Sequence, residues 1–227
     1  MSHDIRVSDN PATEVAERLT EVAMDGGHVV LTGGSSPQRA YELAAQRDGD
    51  WGSATIWFTD ERCVGPTDPD SNYGMADRAL LSQLSTGPTV VRMEGELGPD
   101  AGAGHYEAEL RERMGSDPRW NLLLLGMGPD GHIASLFPGK PELEERSRLA
   151  VGVPLAGMAP QVPRISLTMP ALCSAREAIL LITGESKAAM VARAFGPDPD
   201  RSLPVAQVEL RYGTLTVLLD EAAASQL

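Results

Sequence analysis

The most constraining feature of this sequence is the run Asn121–Leu125, NLLLL, which has the length of a β-strand and contains four consecutive leucines. A strand that alternates polar and apolar side chains can leave one face in water, but this run has no polar face. It must be covered on both faces, which is typical of a parallel sheet between two layers of helices.

The rest of the chain alternates short apolar runs with amphipathic stretches. Further strands are predicted at His28–Thr32, Thr55–Phe58, Thr89–Arg92, Leu149–Val153, Arg164–Thr168, Ala178–Thr183 and Leu215–Leu219. Helices are predicted at Gln38–Arg47, Tyr73–Leu84, Pro99–Met114 and Ser186–Phe195, and a turn-rich loop from Asp60 to Ser71. This order predicts an α/β fold with a doubly wound, mostly parallel sheet and helices on both faces. Because the Pro- and Gly-rich stretches are too short for interdomain linkers, we expect residues 1–227 to form a single domain.

Charge and cysteine content narrow the classes of partner. The 227 residues include 19 Lys and Arg against 32 Asp and Glu, a formal net charge of −13. Nucleic acids and anionic membranes are bound through clustered cations, so we expect neither as a partner. A small anionic ligand is compatible with this charge, because the local field of one cleft can oppose that of the whole molecule. Two cysteines and the lack of an apolar signal core near Met1 predict a cytoplasmic protein.

Ligands of such sheets bind at the carboxyl ends of the strands, so the informative loops follow Thr32, Phe58, Leu125 and Thr183. In the first loop, Gly33 and Gly34 can bring the backbone close to a ligand, and a serine can cap the next helix. The free N–H groups at the start of that helix, together with its dipole, favour an anion, and Ser35 lies in this turn. A plain capped turn is the alternative interpretation.

The second loop places Asp60, Glu61 and Arg62 directly after an apolar strand. Three ionisable groups at this point indicate a site, and a solvated acidic turn with Arg62 in an ion pair is the alternative. In a fourth region Arg164 opens a strand, and Lys187 lies in the first turn of a helix. A cation there opposes the helix dipole unless it meets a bound anion, although solvated charges would give the same pattern.

The third loop, Gly126–His132, formally matches the dinucleotide fingerprint G-x-G-x-x-G. Only six residues separate Gly131 from Pro138, too few for the crossover helix that this fingerprint requires, so nucleotide binding is disfavoured. His132 is suited to proton transfer, because the reference pKa of histidine is about 6.5. A histidine that only braces the loop is the alternative. No paired His or Cys spacing is present, so no metal site is predicted.

Four motifs taken together resemble one known family. They are Leu31–Pro37, Thr59–Arg62 with Asp70–Tyr73, Leu125–His132 with Ala134–Pro138, and Gly184–Lys187. In this order they resemble the glucosamine-6-phosphate isomerase/6-phosphogluconolactonase family. The resemblance implies a Rossmann-like sheet, and hydrolysis of 6-phospho-D-glucono-1,5-lactone to 6-phosphogluconate in the pentose phosphate pathway without a cofactor.

The same resemblance implies roles for individual residues. The substrate phosphate would be held by Arg62, Arg164 and Lys187 together with Gly33, Gly34 and Ser35. We expect His132 to be the general base that activates water, oriented by Asp130 or Asp60. Backbone N–H groups of the loop Gly126–Gly131, or Arg62, would stabilise the oxyanion.

Deaminases of the family are the nearest alternative. Their pattern has a tyrosine where Arg62 stands and an acidic residue where Phe137 stands, so both positions favour the lactonase. A non-catalytic sugar-phosphate-binding module is a further alternative, disfavoured by the acidic charge and by the lack of room for a DNA-binding segment. The expected partner is a phosphorylated sugar lactone, and the expected state is a monomer or weak homo-oligomer.

Overall fold

The leucine strand, β6 (Leu122–Leu125), lies inside a seven-stranded parallel sheet in this computed structural model, which describes residues 4–47 and 49–227. The strand order is β1-β10-β9-β6-β2-β3-β5. The other strands of this sheet are β1 (Asp4–Val7), β2 (His28–Leu31), β3 (Thr55–Phe58), β5 (Thr89–Val90), β9 (Glu177–Ile182) and β10 (Thr214–Leu219). All of its strand pairs are parallel.

Helices cover both faces of this sheet, as its apolar strands predict. They are α1 (Pro11–Met24), α2 (Ser35–Ala45), α3 (Asn72–Ala79), α4 (Pro99–Met114), α5 (Met169–Leu172), α6 (Ala188–Phe195) and α7 (Glu221–Ala224). Alternate leucines of β6 enter different cores: Leu122 and Leu124 pack with residues of α1 and α2, whereas Leu123 and Leu125 pack with residues of α4 and α6. The doubly wound, Rossmann-like architecture is therefore confirmed, and each face of β6 is buried.

A second, three-stranded sheet departs from the prediction. Its strands are β4 (Asp60–Arg62), β8 (Arg164–Leu167) and β7 (Ala150–Val153), in that order and antiparallel. The prediction of a loop over residues 60–71 was wrong for the first three residues, which form β4. Strands β7 and β8 are joined without a helix, and a parallel pair would need a crossover of a dozen or more residues.

The N-terminal helix α1 was not predicted either. Its buried residues Val15, Ala16, Leu19 and Ala23 follow a helical period, but the surrounding segment is polar enough to obscure it. The predicted ends of the other elements shift by a few residues. The predicted helix from Tyr73, for example, ends as an α-helix at Ala79 and is followed by a 3-10 turn.

The winding of the sheet reverses between β2 and β6. From β2 the chain continues outward through β3 and β5, and from β6 it continues the other way through β9 and β10. The loops after these two strands therefore separate, and the crevice between them is where open α/β sheets bind ligands. Gly126 lies directly against Gly33 at this point, because a Cβ on Gly126 would be 3.8 Å from the carbonyl oxygen of Gly33.

Candidate active site

The four predicted loops meet in one cleft at this crevice. Polar and charged side chains of the cleft come from all of them, and the three-stranded sheet adds a further wall. The lining includes Thr32, Gly33, Gly34, Ser35, Ser36, Asp60, Arg62, Asn72, Gly126, Gly128, His132, Ala134, Met158, Arg164, Thr183 and Lys187. The predicted site residues are thus brought together, except that Asp130 lies behind His132.

Two buried tyrosines fix the strand ends that carry the first two loops. The hydroxyl of Tyr41, on α2, accepts from the N–H of Thr32 and donates to its carbonyl at 2.9 and 2.8 Å. The hydroxyl of Tyr106, on α4, makes the same pair of contacts with Phe58. These helices belong to opposite faces of the sheet. Each strand end is therefore held by the layer that covers it.

His132 is held by three neighbours. Its Nδ1 lies 2.5 Å from Oδ1 of Asp130, which leaves Nε2 for the cleft. Its imidazole rests against the backbone of Gly128, where a Cβ would lie 2.0 Å from both Cε1 and Nδ1. The ring of Phe137 lies 4.6 Å away, centre to centre. A glycine at 128 is thus required by the histidine, a role that the spacing of the motif did not reveal.

The two candidate carboxylates have different positions. Burial acts to raise the pKa of Asp130, but its hydrogen bond and charge interaction with His132 outweigh burial, so this pKa lies below its usual value. Asp60 instead accepts from the hydroxyls of Ser135 at 2.7 Å and Thr59 at 2.9 Å. Of the two, Asp130 is the one hydrogen-bonded to the imidazole.

Arg62 and Arg164 face the cleft from the three-stranded sheet, where they are cross-strand partners on β4 and β8. Arg164 is 2% exposed, and the Nε atoms of both arginines are buried without a hydrogen-bond partner. Burial is the main cause that lowers the pKa of Arg164, Asp60 acts to raise it, and Arg62 lowers it further. Buried N–H donors without hydrogen-bond partners indicate a site that can bind an anion.

Lys187 approaches the cleft from the opposite wall. Its Nζ donates to the carbonyl of Met127 at 2.8 Å. Burial lowers the pKa of this half-buried ammonium group, and the charge of Asp130 partly restores it. The lysine ends a 3-10 turn, Glu185–Lys187, directly before α6, close to its predicted place at the start of a helix.

The cations of the cleft differ from most of the other described cations. Within the described residues, none of the three forms an ion pair within 4 Å, and their N–H groups contact carbonyl oxygens instead. Outside the cleft most arginines are neutralised, such as Arg18 by Glu177 and Arg111 by Glu107. In a molecule of net charge −13, this concentrates positive charge in one place.

The sequence assigned no individual role to Glu61 or Asn72, although both lie in the motifs of the second loop. Side chains alternate along β4, so Asp60 and Arg62 face the cleft whereas Glu61 faces away. Glu61 is buried and accepts from the backbone N–H groups of Asn72 and Tyr73 at 2.7 and 2.8 Å, which fixes the start of α3. Burial raises the pKa of Glu61, and these hydrogen bonds oppose the rise.

Asn72 lies against the first loop. A Cβ on Gly33 would be 2.1 Å from its Oδ1, and its Nδ2 donates to the carbonyl of Asp60 at 3.0 Å. The position of Gly34 before α2 is as the motif predicts, with a φ of +105° that favours glycine. The predicted serine cap was wrong: the N-cap is Gly34, and Ser35 and Ser36 are the first helical residues.

The residues that the structure describes contain neither a metal-site cluster nor a membrane-spanning helix. No cluster of three or more His, Cys, Asp or Glu side chains there has the arrangement of a metal site. No helix over residues 4–47 and 49–227 has the length and apolar character needed to cross a membrane. Both described cysteines, Cys63 and Cys173, are free thiols.

Comparison with known proteins places this cleft in a family. The family model described as glucosamine-6-phosphate isomerases/6-phosphogluconolactonase matches residues 5–217. A 6-phosphogluconolactonase of Streptomyces coelicolor is 40% identical over 214 residues, covering 88% of this chain and 81% of the relative. The human 6-phosphogluconolactonase is 39% identical over 178 residues, covering 76% and 68%.

Solved structures agree with the sequence matches. The 6-phosphogluconolactonase of Trypanosoma cruzi has a TM-score of 0.84 and 26% identity, covering 100% of this chain and 97% of that one. The Thermotoga maritima 6-phosphogluconolactonase has a TM-score of 0.84 and 27% identity, covering 96% and 100%. A monomeric glucosamine-6-phosphate deaminase has the same fold at 18% identity and a TM-score of 0.84. The chain therefore belongs to the glucosamine-6-phosphate isomerase/6-phosphogluconolactonase family.

Proposed function

We propose that this protein hydrolyses 6-phospho-D-glucono-1,5-lactone to 6-phospho-D-gluconate, the lactonase step of the pentose phosphate pathway. The observation that carries the proposal is the composition of the cleft: one imidazole backed by a carboxylate, facing three cations without carboxylate partners. A base at one end and an anion site at the other fit a substrate whose ester and phosphate lie at opposite ends. We further propose that the protein acts in the cytoplasm as a monomer or weak homo-oligomer.

His132 acts as the general base. With Nδ1 bound to the ionised Asp130, Nε2 accepts a proton from water while the water oxygen attacks the lactone carbonyl carbon. The tetrahedral intermediate collapses when the bond between that carbon and the ring oxygen breaks. The proton held by His132 passes to the departing ring oxygen, which becomes the hydroxyl of the opened chain. Such base catalysis contributes about 10²–10⁴ in rate.

Arg62 is better placed to stabilise the oxyanion than the N–H groups of Gly128 and Gly131. The N–H of Gly128 donates to the carbonyl of His132 at 2.9 Å, and the N–H of Gly131 donates to Gly128 at 3.1 Å. These two N–H groups already have acceptors within the loop. Arg62 lines the cleft and forms no ion pair within 4 Å among the described residues, so its guanidinium can stabilise charge that develops there.

The phosphate is held by Arg164 from the three-stranded sheet and by Lys187 from the opposite wall, with Arg62 shared between the phosphate and the oxyanion. The glycine turn at Gly33 and Gly34 lets α2 begin at Ser35 with its first N–H groups directed to the cleft side, where a negative charge is favoured. Binding the phosphate places the distant carbonyl carbon at His132, so that binding energy is used for orientation.

The decisive test compares two activities of the purified protein. We expect hydrolysis of freshly prepared 6-phosphogluconolactone well above the no-enzyme rate, measured by coupling 6-phosphogluconate to its dehydrogenase, and no ammonia release from glucosamine 6-phosphate. The activity is expected to survive EDTA. Ammonia release with lactone hydrolysis at the spontaneous rate would make the protein a deaminase.

A further inference from the structure

One aromatic ring, that of Phe137, contacts both the proposed base His132 and the phosphate-binding Arg164. Phe137 is 1% exposed, and its ring centre lies 4.6 Å from that of His132. The guanidinium carbon of Arg164 lies 5.5 Å from the same ring centre. The base and a phosphate-binding cation are thus packed on a single side chain.

This ring does not belong to either main core. Phe137 packs with Val153 and Ala156, and with the partly buried Met158, in a third and smaller cluster. That cluster lies between the turn after His132 and the loop of residues 154–163. Because it is separate from the cores that hold the sheet together, its packing affects the cleft more directly than the fold.

Arg164 has few other contacts that could fix its direction. Its guanidinium donates to the carbonyls of Met158 and Pro160 at 3.3 Å, which is long for a hydrogen bond, and its Nε has no partner. It makes no ion pair within 4 Å among the described residues. The cation–π contact with Phe137 is therefore a main determinant of where the guanidinium points.

We infer that Phe137 is a positioning residue that sets the separation between His132 and Arg164, and so selects lactones that carry a phosphate at the matching distance. This inference rests on the proposed function. A phosphorylated lactone must contact His132 and Arg164 at the same time. A change in the distance between these two side chains therefore misplaces its carbonyl carbon relative to the imidazole. An unphosphorylated lactone makes no contact with Arg164. It can therefore shift with the imidazole when the imidazole moves slightly.

The test uses a ratio of specificities, kcat/KM for 6-phosphogluconolactone divided by kcat/KM for glucono-1,5-lactone. Phe137→Met keeps an apolar side chain but removes the planar ring, and we expect the ratio to fall about tenfold, since small misplacements in a site are costly. Phe195→Met makes the same chemical change at the end of α6, outside the cleft lining, and should leave the ratio unchanged. A merely structural role would lower both specificities equally through the folded fraction.

A second variant displaces the ring of Phe137 without changing Phe137 itself. Gly157 is exposed, and a Cβ there would meet the Phe137 ring at 2.6 Å, so Gly157→Ala should push the ring and also lower the ratio. If Phe137→Met does not fold, this variant decides alone. A folded Phe137→Met, or in its absence Gly157→Ala, with the wild-type ratio would overturn the inference. Wild-type protein without lactonase activity would instead refute the proposed function, so the two failures are distinguishable.

Discussion

The two ends of the cleft are built in different ways. The imidazole end follows a strand of the parallel sheet, and His132 there has a carboxylate partner, a glycine surface and an aromatic neighbour. The guanidinium end lies on the small antiparallel sheet, where Arg62 and Arg164 are like-charged neighbours with unpartnered N–H groups. The contacts of His132 hold its imidazole in a fixed orientation for proton transfer. The arginines keep N–H groups that can donate hydrogen bonds to a bound anion. This difference predicts that changes at the imidazole end lower kcat, whereas loss of Arg164 raises KM. Arg62, which also stabilises the oxyanion, should affect both.

The largest effect is expected at the imidazole. His132→Ala removes the base, and we expect kcat to fall by about 10²–10⁴ for phosphorylated and unphosphorylated lactones alike. Initial rates corrected for spontaneous hydrolysis measure this, with circular dichroism as the control for folding. Turnover near that of the wild type would remove His132 from the base role.

The glycine surface beneath the imidazole should matter nearly as much. Gly128→Ala would place a Cβ 2.0 Å from the ring, so the imidazole must move, and we expect kcat to fall about 10²-fold. Gly104→Ala is the matched control, because Gly104 lies on α4 with open space around its Cα. Equal kcat values for the two variants would show that the position of the imidazole is not critical.

At the guanidinium end we expect a change in KM. Arg164→Gln removes charge-assisted hydrogen bonds of about 1.5–3 kcal/mol, so KM for 6-phosphogluconolactone should rise roughly 10- to 100-fold. Arg176→Gln is the control, because it makes the same change in net charge at an exposed arginine. Arg176 directly precedes β9, at the end of that strand away from the cleft. Similar losses on unphosphorylated gluconolactone would contradict a phosphate contact.

The smallest effect concerns pH. Burial lowers the pKa of Lys187, so its positive charge is present below that pKa and is lost as the pH rises through it. Affinity for phosphate should weaken in the same direction, and the inhibition constant of 6-phosphogluconate should rise several-fold at alkaline pH. Lys187→Arg, which stays protonated, should flatten this dependence. A pH dependence unchanged by the substitution would assign it to another group.

The periodicity of the sequence was sufficient for the main sheet and for most of the helices that cover it. Strand Thr55–Phe58 and helix Pro99–Met114 have the predicted ends. Local patterns could not assign β7 and β8 to a separate sheet, because periodicity predicts that a segment is a strand but not which strand it pairs with. They could not assign Asp60–Arg62 to β4 either, because this strand exists through its pairing with β8.

The sequence alone determined which residue types were available: one histidine in a glycine-rich loop, and cations at the ends of predicted strands and helices. Only the tertiary structure decided that Asp130 rather than Asp60 contacts the imidazole, that Gly128 supports it, and that Phe137 joins it to Arg164. The physical reason is that composition and spacing fix local chemistry, whereas the partner of a charged or aromatic group depends on which strand ends the folded sheet brings together.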